Sequence, residues 1–97
     1  MISTLLEVDD PCSFTKLSCA EQEALLLYIA RNYEPRKTTN KNASSYGLKH
    51  EFERAQYGFY VTNGQFKGAM MHSGYAPANS KDKNWYFAFR KTRNITP

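Results

Sequence analysis

Cysteine is scarce in this chain. Cys12 and Cys19 lie seven residues apart, with no second pair to complete a metal site. Their spacing permits a bridge, but nothing argues for the oxidising compartment that a bridge needs, so both read as reduced thiols. No apolar run approaches the roughly 20 residues of a membrane span. No charged start followed by a long apolar stretch suggests a secretory leader, so a cytoplasmic protein with no membrane partner is expected. Histidine is equally sparse: His50 and His72 stand apart from any Cys, His or carboxylate spacing that specifies a metal or a triad. Each reads as a surface or boundary residue. Gly58, Gly64, Gly68 and Gly74 lack the strand-to-helix spacing of a phosphate loop. Gly68, on a helix, reads instead as a site of close packing. Glu51 and Glu53 project to different faces and make no acid–base pair. These absences argue against catalysis, and the expectation is a protein that is not an enzyme, with no cofactor, no metal and no catalytic residue.

What is present suits one small globular domain. The 97 residues are 41% hydrophobic and 14% aromatic, enough for one modest core. Charge is unevenly spread. In residues 1–23, five carboxylates face Lys16 alone, for a net −4; twelve cations and four carboxylates follow, for a net +8. A half this basic is a footprint for a polyanion, although a solvated lysine-rich surface has the same composition.

The clearest early element starts at Ser18, where Ser18-Cys19-Ala20-Glu21 is a capping box. The helix it opens runs to about Asn32, with Ala24, Leu25, Tyr28 and Ile29 inward. Leu26 and Leu27 widen its apolar stripe, so cover on more than one side is expected. Residues 1–17 are harder to place: Ile2, Leu5, Leu6 and Val8 suit a short helix or strand, and Asp10-Pro11 a turn or a helix start. Pro35 ends the capped helix, and residues 34–43 form a basic linker without periodicity. That linker lies on phosphates, is ordered by a partner, or is a plain exposed connector.

Residues 44–91 carry the organisation. Leu48, Phe52 and Ala55 share one helix face after the caps Ser44 and Ser45. A tight aromatic connection leads to a second helix, from about Asn63 to Ser73, with Thr62 or Asn63 as its cap. Phe66, Ala69, Met70 and Ser73 face inward, Gly74 takes the left-handed end, and Tyr75 closes the contact. Asn63-Gly64 is also a hairpin signal after the β-prone Phe59-Tyr60-Val61. The helical spacing of Phe66, Ala69 and Met70, and the poor strand made by Gly68 to Met71, favour the helix. From Trp85 the period becomes 2: Trp85, Phe87 and Phe89 point one way, Tyr86, Ala88 and Arg90 the other. Phe52, Phe66, Met70, Trp85, Leu25 and Ile29 are expected in one buried cluster. Helix, turn, helix, basic loop and strand is the order of a winged helix-turn-helix. The fold class expected is therefore α+β: a three-helix, winged helix-turn-helix-like domain with a C-terminal β hairpin or wing. The segments are 1–17 (uncertain), 18–33 (core helix), 34–43 (linker) and 44–91 (helix-turn-helix plus wing).

The strings SSYGLKHEFE and GFYVTNGQFKGAMMHSGY, followed by NWYF, resemble a family of small, functionally uncharacterised proteins carried by phages and integrative elements of Gram-positive bacteria. The resemblance covers roughly residues 36–91. The pattern FxxAMxxxGY with a basic loop and a tryptophan-led strand is also similar, at fold level, to winged-helix tails of mobile-element replication and primase proteins. The resemblance implies a mobile-element setting and raises inhibition of host defence as a role. The chain differs from DNA-mimicking inhibitors in being basic.

Two functions follow as expectations. The leading one is non-enzymatic nucleic-acid binding, regulatory or accessory to replication, with duplex DNA as partner. The second helix would enter the major groove with Gln65, Lys67, Met71 and His72 outward, Gln65 reading an adenine edge and Lys67 a guanine edge or a phosphate. Lys81 and Lys83, with Arg36, Lys37 and Lys41, would contact phosphates. The other is an anti-CRISPR-like inhibitor that binds a host protein such as a defence nuclease. Tyr57, Phe59, Tyr60, Tyr86, Phe87 and Phe89 serve mostly as core, with Tyr60 and Tyr86 left partly exposed; they would also suit stacking of single-stranded nucleic acid.

Overall fold

In the computed structural model, which describes residues 8–92, helices pack with a two-stranded antiparallel sheet in an α+β arrangement. The expected packing of Ile2, Leu5 and Leu6 lies outside the described residues. A 3-10 helix, Pro11–Lys16, is started by Asp10, whose side chain accepts the Cys12 N–H at 3.0 Å. Helix α1, Cys19–Asn32, opens on the expected capping box: Ser18 N–H donates to Glu21 at 3.0 Å, and Glu21 N–H to Ser18 at 3.1 Å. Strand β1, Tyr33–Pro35, follows directly. Helix α2 is Ser45–Arg54 and helix α3 Asn63–His72; strand β2, Phe89–Lys91, closes the chain's described part.

The rival hairpin at Asn63-Gly64 does not form. Thr62 and Gln65 make a capping box instead, with Thr62 N–H donating to Gln65 at 2.9 Å and Gln65 N–H to Thr62 at 3.0 Å. At the other end Gly74 has φ +96°. Tyr75 N–H reaches back to the Met70 carbonyl and Gly74 N–H to that of Met71, each at 3.0 Å, which is the Schellman pattern. A glycine suits that left-handed position because it carries no Cβ.

The core forms a single cluster. Phe52, Phe66, Met70, Trp85, Leu25 and Ile29 are all in it, joined by Phe14, Leu48, Val61, Phe87 and Phe89. Trp85, Phe87 and Phe89 are buried while Arg90 is exposed, so the alternation read from sequence holds. Helix α1 needs correction. Ala24 is exposed and Leu27 is 52% exposed, whereas Leu25 and Ile29 are buried and Leu26 and Tyr28 only packed against the core. Leu27 lies about 200° around the helix from Leu25, and among the described residues the core meets only the Leu25–Ile29 side.

The strand pairing is also not the expected C-terminal hairpin. β2 pairs with β1, in the register Tyr33↔Lys91, Glu34↔Arg90 and Pro35↔Phe89. Locally, the chain makes only an isolated bridge, Pro77↔Phe87. Segment 85–88 thus receives partners from the linker, from the start of α2 and from the stretch after Pro77. Arg36, Asn40 and Ser45 N–H donate to the carbonyls of Ala88, Phe87 and Trp85, at 3.1, 2.8 and 2.7 Å. Ala78 N–H donates to Tyr86 at 2.8 Å. This accounts for a linker that has no periodicity of its own: its backbone is ordered by hydrogen bonds to a distant strand. Arg36 Nε and Nη2 donate to the Thr38 and Thr39 carbonyls, at 2.8 and 3.0 Å, and tie the loop to itself.

Candidate functional site

Helix α3 was expected to show a polar face, yet it is the most enclosed helix among the described residues. Asn63, Gly64, Phe66, Lys67, Gly68, Ala69 and Met70 are all buried. The 3-10 segment lies across it. A Cβ on Gly64 would stand 2.4 Å from the Asp10 carbonyl oxygen, and one on Gly68 2.2 Å from that of Pro11. Gly68 is therefore a close-packing residue, as its sequence position implied, and the close neighbour is the N-terminal segment.

The expected outward placement of Lys67 is corrected by this cover. Lys67 is 2% exposed, donates from Nζ to the Asp9 carbonyl at 3.0 Å, and lies 4.7 Å from the centre of the Trp85 ring. Burial lowers its pKa, against the opposing pull of Asp9 and Asp10. Its sequence position put it about 100° from Phe66, beside the buried stripe; a segment 58 residues earlier in the chain then closed over that flank. Gln65 spends its side chain on the Thr62 cap. Met71 and His72 remain exposed, but His72 stacks on Phe14 with ring centres 4.7 Å apart. The four do not form one outward reading surface.

Beside α3 lies a polar junction that sequence reading assigned only as helix caps. Trp85 N–H donates to Ser45 Oγ at 3.0 Å, and Ser45 Oγ–H donates to Asn63 Oδ1 at 2.7 Å. That direction leaves Asn63 Nδ2 to face three acceptors: Asp9 Oδ1 at 2.9 Å, Asn84 Oδ1 at 3.0 Å and the Lys83 carbonyl at 3.1 Å. Four segments meet at this amide, around Asp9, Ser45, Asn63 and Lys83 to Trp85, and both Ser45 and Asn63 are buried. Only the distance between those segments hides it, since each residue by itself looks like a cap.

Above the junction opens a groove of about 520 Å³, bordered by Tyr46, Lys49, His50, Tyr60, Lys83 and Asn84 among others. Lys49 is 5% exposed, with Nζ 5.6 Å from the Tyr46 ring centre and 4.9 Å from that of Tyr60. It donates to Glu53 at 2.9 Å. Glu53 also takes the Val61 N–H at 3.1 Å and faces His50 Nδ1 at 3.1 Å. Burial pushes the Glu53 carboxyl up, but the bonds from Lys49 and Val61 outweigh it and hold the pKa below the ordinary value. A carboxylate so occupied is a structural clasp between α2 and the 55–62 connection rather than a general base. Tyr46 and Tyr60 remain 50% and 72% exposed. Tyr60 is thus exposed as expected, and Tyr86 is half-buried.

The remaining expected contacts sit on two loops. Lys37 and Lys41 in the linker, and Lys81 and Lys83 in the 78–84 turn, are exposed. Both loops hydrogen-bond to segment 85–88. Arg36 is exposed too, but its guanidinium is engaged with Thr38 and Thr39. Among the described residues no group of three His, Cys, Asp or Glu side chains is placed to hold a metal ion, and both cysteines are free and exposed. No helix among them is long and apolar enough to cross a membrane. Compared with protein-family models, curated proteins and solved structures, this chain matches nothing.

Proposed function

We infer that the protein binds nucleic acid without catalysing a reaction, and does so through the loop face rather than through α3. The observation that carries this reading is the disposition of Lys37, Lys41, Lys81 and Lys83. Four exposed ammonium groups stand on two loops fastened to one extended segment, with Tyr86 on its outer side. Exposed cations on hydrogen-bonded loops suit phosphate contact, which positions a strand without reading its sequence. Base reading by Gln65 and Lys67 is not part of the proposal, because both side chains are engaged inside the fold.

The order α1, β1, α2, α3, bridge at Pro77, basic turn, β2 supports a winged helix-turn-helix ancestry, with β1 paired to β2 and Pro77 bridged to Phe87 just before it. Against a duplex-reading use of that frame stand the covered α3 and a connection spanning residues 55–62, longer than the three- or four-residue turn of the DNA-binding motif. The wing, then, carries the binding in this reading.

Titrating labelled oligonucleotides over a salt series tests it. Wild type should bind at low salt with a steep slope, and the Lys81→Ala/Lys83→Ala variant should bind more weakly to every sequence with a slope shallower by about one to two units. Absence of binding at low salt, or an unchanged slope in the folded variant, overturns the reading and leaves a host-protein partner for the same loops.

A further inference from the structure

We propose that the groove between Tyr46 and Tyr60 takes an unpaired base, so that the ligand is a single-stranded nucleic acid; this rests on the nucleic-acid reading above.

Three observations converge. The first is continuity. Lys83 belongs both to the basic turn and to the border of the groove, and the neighbouring Asn84 lines it as well. A strand whose phosphate meets Lys83 therefore has its adjoining base at the groove mouth. The second is shape and surface. About 520 Å³ falls within the range of small-molecule sites, and Tyr46 and Tyr60, which border it, are both exposed. Their positions are held from beneath by Lys49, and Tyr46 is further held edge-on by His50, ring centres 4.5 Å apart at 87°. Contacts that the rings already make reduce the freedom lost when a planar group stacks on them.

The third observation is charge. Lys49 is neutralised by Glu53 at 2.9 Å, so the floor offers no free cation. Asp9 borders the groove with one carboxylate oxygen on Asn63. A phosphate is disfavoured beside that carboxylate, while a neutral heterocycle is not. The anionic part of the ligand stays outside at Lys81 and Lys83, and the neutral part goes in. Within a duplex the bases are stacked and paired, and their faces are unavailable to a side groove; an unpaired base is free to enter.

Fluorescence anisotropy at fixed low salt with four probes tests the proposal. These are a single-stranded DNA, a single-stranded RNA, the matching DNA duplex, and an abasic DNA strand that keeps every phosphate. Single strands with bases should bind more tightly than both the duplex and the abasic strand. Tyr60→Ala, at an exposed position, should weaken single-strand binding roughly 5- to 150-fold with little change in salt slope. Tyr60→Phe should keep the wild-type affinity, since the ring and not the hydroxyl stacks. Two failures are distinguishable. If all four probes bind equally and Tyr60→Ala has no effect, while Lys81→Ala/Lys83→Ala still weakens binding, the base slot is overturned and the basic face stands. If none binds, both fall.

Discussion

Lys49 and Lys67 lie inside the fold, while Lys37, Lys41, Lys81 and Lys83 lie outside it, and the difference is one of neighbours rather than of residue type. Lys67 on α3 finds a carbonyl from Asp9 and the face of Trp85, and Lys49 on α2 finds Glu53 and two tyrosine rings. Each has a hydrogen-bond acceptor and an aromatic surface, which is what makes a buried ammonium tolerable. The four outer lysines stand on loops tied to segment 85–88 through the N–H groups of Arg36, Asn40 and Ala78, and the four lysines themselves are exposed. The first pair holds the molecule together. The second group is available to a partner.

This comparison is broken most severely by changes inside α3. Phe66 is fully buried at the centre of the core, so Phe66→Ala should cost about 3–5 kcal/mol by denaturant titration, enough to unfold a marginal domain. Gly68→Ala comes next. The added Cβ meets backbone at Pro11 as well as the Phe14 Cβ, so relief needs movement of the whole 3-10 segment. A loss of about 1–3 kcal/mol is expected, and an unchanged melting temperature would show that the segment does not rest on α3.

Lys67 sharpens the contrast. Lys67→Ala leaves the Asp9 carbonyl without its donor and opens space against Trp85, and should cost roughly 1–3 kcal/mol. The same variant should not alter the salt slope of nucleic-acid binding; a flattened slope would return Lys67 to the binding surface. The clasp around Lys49 has a pH signature. Glu53 has its folded pKa below its unfolded value, so the stability it contributes is present above the ordinary glutamate pKa and is lost as pH falls through the folded one. Wild type should lose stability over that acid range more steeply than Glu53→Gln, as followed by thermal melts at successive pH values. The smallest effect on stability belongs to Lys81→Ala/Lys83→Ala, within about 0.5 kcal/mol of wild type, because neither residue packs in the core.

The sequence by itself determined what depends on neighbours a few residues apart. The capping box at Ser18, a cap at Thr62 or Asn63, the left-handed Gly74, the apolar inner faces of α2 and α3, and the alternation from Trp85 are all set by local hydrogen bonding and by helix or strand period. Core membership of Leu25, Ile29, Phe52, Phe66, Met70 and Trp85 followed, since a short chain must bury its large side chains where the period aligns them, whereas Ala24 and Tyr57 are exposed. Only the tertiary structure decided what covers each flank. Whether Lys67 faced solvent rested on Asp9 to Phe14 crossing α3, and whether the linker was ordered rested on carbonyls of residues 85–88. The junction at Ser45 and Asn63, and the groove beside it, exist only where segments far apart in the chain meet. Periodicity records which side of a helix is apolar, but not which remote segment arrives to close over its border, because that is set by long-range packing.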